Sequence, residues 1–204
     1  MSTSTTTTAN RAGFLVEPEP TGPVAQLYDQ EQERQGYVAN LTRVWAQSPE
    51  ALAVLSHALS LATTLAGLGE AERALLTTAT ASTMGDAYCS LAWGANLARA
   101  VGDDVAAGLI RGDDSRLGER GLALAHWARQ VVGDPNGTTG ADVEELRRLG
   151  YTDQQVFGLT FFVALRQAFS TVNDALGAAP DAELADRVPP AVRRAVGFGR
   201  PSPT

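Results

Sequence analysis

The chain has 204 residues, a hydrophobic content of 44% and a formal net charge of −7, a composition typical of one ordinary globular domain. All sixteen basic residues are arginine and they form no basic patch, which argues against a nucleic-acid partner. The single cysteine excludes an internal disulfide and an intramolecular dithiol. It also fits a reducing compartment, so we expect a cytoplasmic protein.

The start of the chain is polar and lacks the cationic and apolar regions of a signal peptide. We therefore predict that residues 1–23 form a disordered tail. The longest apolar run, residues 156–165, is too short to cross a bilayer, so we expect no membrane segment.

Apolar residues recur at helical spacing over residues 24–176. Ser48 followed by Pro49 is typical of a helix start, and Gly67 is a stop signal. Thr152 and Gln155 have the spacing of a capping box that opens a long apolar helix ending at 176. Between these two helices the pattern predicts four more, over residues 70–84, 86–101, 103–111 and 117–132.

Strand-type alternation does not persist anywhere in the chain, so we predict an all-α protein. A single helical domain is expected over residues 24–188. The segment 189–204 contains several proline and glycine residues, and we predict that it forms a C-terminal tail on the surface.

The only cysteine lies near the start of a predicted helix. Gly85 ends the preceding helix, which makes Asp86 the N-cap of the next one and puts Cys89 in its first turn. Asp86, Cys89, Trp93 and Asn96 are spaced by three, four and three residues. They therefore share one face of the helix.

Together with its neighbours in sequence, this helix resembles the alkylhydroperoxidase-D-like, or carboxymuconolactone decarboxylase, superfamily, and in particular its peroxidase-related branch. The resemblance extends over residues 36–181 and rests on segments in the family's order, including 36-GYVANLTRVWAQSPEAL-52 and 68-LGEAERALLTTATASTMGDAYCSLAWGANLARA-100. It implies an all-helical fold that assembles as a dimer, trimer or hexamer. It also implies that the cysteine helix lines a cleft near a subunit interface.

The resemblance implies that the family's redox motif is incomplete in this chain. The family has a glutamate, a CxxC pair and a histidine four residues after the second cysteine. Cys89 matches the second, peroxide-attacking cysteine, whereas Asp86 occupies the position of the first. Trp93 replaces the histidine and Ala74 the glutamate, with Glu72 the nearest carboxylate. We therefore expect the fold without the dithiol relay.

Cys89 can be interpreted either as a catalytic nucleophile or as a small buried apolar side chain. A helix N-terminus favours its thiolate, but the charge of Asp86 opposes ionisation and no arginine lies within one helical turn in sequence. Without a second cysteine, a sulfenic acid formed here could be reduced only by an external thiol.

The neighbouring residues also have two interpretations each. Asp86 is either a helix cap or a general acid or base, and Trp93 is either a core residue or a platform for an aromatic ligand. Tyr88 and Asn96 are candidates for packing or for contact with the substrate at the edge of a pocket. His57 is a catalytic candidate because, in the related fold, its helix packs near the cysteine helix.

We expect neither a metal nor a cofactor. The two histidines, His57 and His126, are far apart with no carboxylate at metal-ligand spacing, and no phosphate loop or dinucleotide fingerprint is present.

Three functions are considered from the sequence, which favours the first and leaves the other two as alternatives. The first is a cofactor-independent enzyme in which Asp86, His57 and Tyr88 transfer protons on an organic substrate, such as an aromatic one, held against Trp93. Its reaction would be that of a decarboxylase, isomerase or cyclase. The second is a non-catalytic homo-oligomer that binds a ligand or a partner. The third is a residual one-Cys hydroperoxide reductase.

Overall fold

The protein is built almost entirely from helices. The structure, a computed structural model, describes residues 11–200. Within this range it contains a hairpin of two short strands, eleven α-helices and one 3₁₀ turn at Pro135–Gly137. The strands are β1 (Arg11–Ala12) and β2 (Leu15–Val16), and the helices are α1 (Pro23–Gln35), α2 (Asn40–Trp45), α3 (Pro49–Ala66), α4 (Glu70–Met84), α5 (Ala87–Val101), α6 (Asp103–Arg111), α7 (Glu119–Gly133), α8 (Gly140–Arg148), α9 (Asp153–Ala175), α10 (Ala182–Arg187) and α11 (Pro190–Ala195). The predicted all-α class is confirmed.

Helix starts follow the capping signals in the sequence. The Ser48 hydroxyl accepts a hydrogen bond from the amide of Ala51 at 3.2 Å and opens α3. At the start of α9, Thr152 Oγ1 accepts from the amide of Gln155, whose side chain accepts from the amide of Thr152 in return. Each bond satisfies an amide that has no partner inside the helix.

Helix α4 runs through the centre of the molecule. All eight residues from Ala74 to Ala81 are buried, and α4 packs against α5, α6, α7 and α9. The buried cluster around it includes Leu76, Leu97, Leu124 and Phe162. Because α4 packs on both α5 and α9, it fixes the position of α5, which carries Cys89, relative to α9.

Helix α3 is apolar but mostly uncovered. Only Ala62 and Ala66 of its eighteen residues are buried, although it packs along α9. Val54 is 64% exposed and Leu61 is 48% exposed, and Phe157 on α9 is 61% exposed. Val54 and Leu61 are seven residues apart and so share a helix face, called the α3 face below.

The ends of the described chain are more ordered than the sequence predicts. Residues 1–10 of the predicted N-terminal tail lie outside the described residues. Residues 11–16 form the hairpin, which is held in place by the amide of Phe14 donating to the carbonyl of Leu176 at 2.9 Å and by the Gln47 side chain donating to the carbonyl of Val16 at 2.7 Å.

The predicted C-terminal tail also needs correction. Residues 190–195 form α11, which packs on α5 and α6 and buries Val192 completely. The proline and glycine content of residues 189–204 is what suggested a tail in the sequence. In the structure Pro190 is the first residue of a helix, where a missing amide hydrogen has no cost.

Candidate functional site

The centre of the candidate site is the first turn of α5. Asp86 is its N-cap, as predicted, because Oδ1 of Asp86 accepts a hydrogen bond from the amide of Cys89 at 2.9 Å. Asp86 is fully buried and Cys89 is only 2% exposed. The thiol therefore lies at a helix N-terminus, but out of contact with bulk solvent.

A buried arginine from α9 contacts this thiol. Nη2 of Arg166 lies 3.3 Å from Sγ of Cys89, and Arg166 is only 5% exposed. The guanidinium carbon also lies 5.4 Å from the ring centre of Trp93 and 4.9 Å from that of Phe169. No carboxylate in residues 11–200 forms an ion pair with Arg166, and its Nε has no hydrogen-bond partner there.

Behind the thiol is a layer of buried polar groups. Oδ2 of Asp86 has no hydrogen-bond partner among the described residues. Asn173 is fully buried and accepts a hydrogen bond from the indole nitrogen of Trp45 at 2.8 Å. Burial, together with the negative charge of Asp86, raises the pKa of Asp174 to about 6. The charge of Asp86 therefore acts on a second carboxyl group, that of Asp174.

Opposing influences act on the Cys89 thiol. Burial is the largest, and it raises the pKa of Cys89 because a thiolate loses its hydration inside the protein. The charge of Arg166 lowers that pKa, whereas the charge of Asp86 raises it. A hydrogen bond from Ser170 also favours the thiolate. Burial prevails, so Cys89 is mainly a thiol at neutral pH.

Trp93 borders a cavity on the other side of Arg166. The cavity has a volume of about 270 Å³ and is lined by Arg73, Trp93, Phe162 and Arg166 and, from α3, by Leu59 and a row of serine and threonine residues. The guanidinium of Arg73 lies 5.2 Å from the Trp93 ring centre. Two arginines thus contact this indole ring, in what we call the Trp93 cavity.

Tyr88 and Asn96 lie apart from the Trp93 cavity. Tyr88 donates a hydrogen bond to Oδ2 of Asp181, and burial and the Asp181 charge raise the pKa of Tyr88 well above its usual range. Asn96 accepts from Arg99 at 2.6 Å. Both line a second cavity, of about 310 Å³, on the opposite flank of Trp93.

His57 is not brought to Asp86. It lies on the exposed side of α3, whereas Asp86 is buried at the start of α5, and His57 does not line the Trp93 cavity. The expected proton-transfer pair therefore does not form within the described chain. Glu72 is also engaged elsewhere, since its carboxylate pairs with Arg120 at 2.6 Å.

Sequence reasoning missed Arg166 and Arg73. It considered only cations within one helical turn of Cys89, but Arg166 is 77 residues away. One signal was available: Arg166 is the only charged residue between Asp153 and Asp174. A lone arginine in so apolar a helix indicates a buried cation, which requires specific partners.

Residues 11–200 contain neither a cluster of metal-ligating side chains nor a single helix suited to span a membrane. In residues 11–200 no group of three or more histidine, cysteine, aspartate or glutamate side chains could hold a metal ion. No single helix in that range is long and apolar enough to cross a membrane. The pair α3 and α4 would pass on length and composition together, but the two helices meet at a bend of 119°.

Comparison with known proteins gives matches among solved structures only. No protein-family model matches the chain, and no curated protein matches it. An uncharacterized peroxidase-related protein from Ralstonia eutropha JMP134, with an alkylhydroperoxidase AhpD core, superposes with a TM-score of 0.74 at 22% identity, covering 86% of this chain and 96% of that one. An uncharacterized peroxidase-related protein from Silicibacter sp. TM1040 has a TM-score of 0.74 at 20% identity, covering 88% of this chain and 97% of that one.

A third similar structure is an alanine variant of the debrominase Bmp8 in complex with 2,3,4-tribromopyrrole. Its TM-score is 0.68 at 13% identity, with coverage of 88% of this chain and 96% of that one. At these identities the likeness establishes the fold. The predicted alkylhydroperoxidase-D-like fold is therefore confirmed.

Proposed function

We propose that this protein is a cofactor-independent enzyme that acts on a small organic molecule through one thiol, Cys89, as a one-Cys hydroperoxide reductase. The contact between the buried Arg166 guanidinium and Sγ of Cys89, at 3.3 Å, carries this proposal. The fold shared with peroxidase-related proteins agrees with it.

A buried cation needs an anion beside it. Burying a guanidinium without one costs several kcal/mol, and no carboxylate in residues 11–200 pairs with Arg166. Cys89 is mainly a thiol at neutral pH, and on ionisation its thiolate would give Arg166 the anionic partner that no carboxylate in residues 11–200 provides. Arg166 therefore provides the nearby positive charge that the sequence lacked around Cys89, and that a nucleophilic cysteine requires.

The reaction consists of two balanced steps. The Cys89 thiolate attacks the terminal oxygen of an organic hydroperoxide, so that an S–O bond forms and the O–O bond breaks. The alcohol leaves as an alkoxide that takes up a proton, and Cys89 is oxidised to a sulfenic acid. Two molecules of an external thiol then reduce it, releasing water and their own disulfide. This requirement agrees with the reducing compartment expected from the cysteine content.

Arg166 acts on both the nucleophile and the leaving group. Its charge favours the thiolate and would stabilise the negative charge that develops on the alkoxide oxygen. Because burial keeps the pKa of Cys89 high, we expect a slow reaction at neutral pH that accelerates as the pH rises.

A second candidate function follows from Asp86. Its Oδ2 is buried and has no partner among the described residues, and Asp174 nearby has a pKa raised to about 6. A buried carboxylate oxygen without a partner, on a group whose charge raises the pKa of a second carboxyl group, is a candidate general acid or base. This arrangement favours acid–base chemistry of the decarboxylase or isomerase type, without His57.

The test of the proposed reaction is the consumption of cumene hydroperoxide by the intact protein with dithiothreitol as reductant. We expect activity in the wild type, a sulfenic acid adduct on Cys89 by mass spectrometry, and loss of activity in Cys89→Ala. Asp86→Asn keeps the helix cap, because an amide oxygen can accept the same hydrogen bond. It should retain or increase activity.

Two results would contradict the thiol mechanism. One is equal hydroperoxide consumption by the wild type and Cys89→Ala, and the other is loss of activity in a correctly folded Asp86→Asn variant. The second result would favour the acid–base candidate. If neither hydroperoxide nor any carboxylated metabolite is consumed, the non-catalytic interpretation gains support.

The homo-oligomer expected from the sequence remains part of the proposal. The α3 face presents Val54 and Leu61 at 64% and 48% exposure, on a helix that buries only two of its alanines. A second copy of the chain would remove this apolar surface from water. It would also cover the edge of the Trp93 cavity, which α3 borders.

Light scattering at micromolar concentration tests the assembly. We expect a multimer for the wild type and dissociation for Leu61→Glu, since a buried unpaired charge is costly. Leu122→Glu is the matched control, because Leu122 on α7 is 41% exposed but lies away from the α3 face. A monomeric wild type would contradict this part of the proposal.

A further inference from the structure

We infer that the Trp93 cavity binds the carboxylate of a small organic anion, with Arg73 and Arg166 as its recognition groups. That this anion is the substrate rests on the proposed function; that the cavity binds it does not. As a statement about binding, the inference depends on the cavity alone.

The first argument is charge. Two guanidinium groups line this cavity of about 270 Å³, and no aspartate or glutamate does. Neither Arg73 nor Arg166 forms an ion pair with a carboxylate anywhere in residues 11–200. In a chain with a net charge of −7, most other arginines in that range do have such partners or bond to backbone oxygens. Two uncompensated cations at one cavity favour an anionic occupant.

The second argument is the state of Arg166. The Arg166 side chain is buried, with only 5% of its surface exposed. Its Nε has no hydrogen-bond partner among the described residues. Buried charges are normally paired, so a guanidinium that lines a cavity and contacts only a thiol among the described residues favours an anionic ligand. A planar carboxylate matches the planar guanidinium group.

The third argument is the shape of the surroundings. Trp93 holds both arginines, with guanidinium carbons 5.2 Å and 5.4 Å from its ring centre. These contacts fix the two charged groups before a ligand arrives. Leu59 and Phe162 supply an apolar wall, and Ser56 and Ser60 supply hydroxyl groups. The arrangement fits an acid with a compact apolar body.

This assignment changes the interpretation of Trp93. The sequence suggested a stacking platform for an aromatic ligand, but two arginines already contact the ring. We assign Trp93 the task of positioning these cations. The ligand's apolar part would then lie against Leu59 and Phe162.

Calorimetry with benzoate as the probe tests the inference on the full-length protein. Benzamide has the same size without the charge, and acetate has the charge without the apolar body. We expect benzoate to bind about tenfold or more tightly than either. Arg73→Gln should weaken benzoate binding about tenfold to hundredfold, because Arg73 is exposed and its replacement leaves the core unchanged.

Arg99→Gln is the matched control. It removes the same charge from the neighbouring flank of Trp93 without touching this cavity, and should change the benzoate affinity less than twofold. The inference is overturned if benzamide binds as well as benzoate, if the two glutamine variants lose equal affinity, or if benzoate does not bind. The calorimetry contains no hydroperoxide, so its outcomes do not depend on the reactivity of Cys89. Failure of the thiol mechanism appears only in the hydroperoxide assay.

Discussion

The two sides of Arg166 differ in their access to water. On one side Cys89 is 2% exposed, and Asp86 and Asn173 are fully buried. On the other side the same guanidinium lines a cavity whose rim includes the exposed Arg73. One side chain thus separates a dry compartment, where desolvation controls the pKa of a thiol, from an accessible one, where charge controls ligand affinity. Under the proposals made above, this difference would keep the Cys89 thiol from bulk solvent close to the cavity proposed to bind the ligand.

Removing the shared group should have the largest effect. Arg166→Gln takes away the positive charge 3.3 Å from Sγ of Cys89, so the thiolate becomes rarer. An opposite charge at such a distance shifts a pKa by about 1 to 3 units, which corresponds to about tenfold to a thousandfold in the rate of hydroperoxide reduction at fixed pH.

Stopped-flow measurement of sulfenic acid formation checks this prediction, with circular dichroism to confirm folding. Arg166→Lys keeps the charge and should retain more of the rate than the glutamine variant. Equal rates for the wild type and Arg166→Gln would contradict the claim that the Arg166 charge stabilises the Cys89 thiolate.

Trp93→Ala should change mainly the accessible side. Loss of the ring that contacts Arg73 and Arg166 should weaken benzoate binding by about 1 to 3 kcal/mol. The rate of Cys89 alkylation should fall less in this variant than it falls in Arg166→Gln. Calorimetry and alkylation kinetics on the same sample provide the comparison. A large loss of alkylation rate with unchanged benzoate affinity would reverse the assignment of the two sides.

The packing of the dry side can be tested with a pair of tryptophans. Trp45→Phe removes the donor to Oδ1 of Asn173, a bond of 2.8 Å between buried groups, and should cost about 1 to 3 kcal/mol of unfolding free energy beyond the loss of ring volume. Trp127→Phe is the control, because the indole nitrogen of Trp127 is buried and has no partner among the described residues. Urea denaturation should show the larger loss for Trp45→Phe.

Asp174→Asn should have the smallest effect, visible in the pH dependence of stability. The pKa of Asp174 is about 6 in the folded protein, whereas an unperturbed aspartate has a pKa of 3.8. The folded state therefore binds the proton more tightly than the unfolded state does. The contribution of Asp174 to stability is full below about pH 4 and is lost as the pH rises through about 6. The asparagine variant should lose less stability over this interval in thermal unfolding. An identical pH dependence in both proteins would contradict the assignment.

How much the sequence predicted depends on how far apart the interacting residues are. The Asp86 cap and the Thr152 capping box join residues three positions apart, and both were predicted correctly. The contact of Arg166 with Cys89 joins residues 77 positions apart, on helices brought together only by the packing of the core. Helical periodicity carries no information about such a contact, so the expectation of a thiol without a cation was wrong.

The same limit explains two other results. His57 was placed near Asp86 by analogy with the related fold, but its side of α3 is exposed and away from the start of α5. Residues 189–204 were predicted to form a tail, but α11 forms within them because Val192 can bury itself on α5 and α6. In both cases tertiary packing decides what the local sequence leaves open.

The pH dependence of Cys89 alkylation by iodoacetamide tests the central claim most directly, since Cys89 is the only cysteine. The wild type, Arg166→Gln and Asp86→Asn should be measured at several alkaline pH values. Because the Arg166 charge lowers the thiol pKa and the Asp86 charge raises it, we predict that Asp86→Asn reacts faster than the wild type and Arg166→Gln more slowly. The same rate in all three proteins, or the reverse order, would contradict the account.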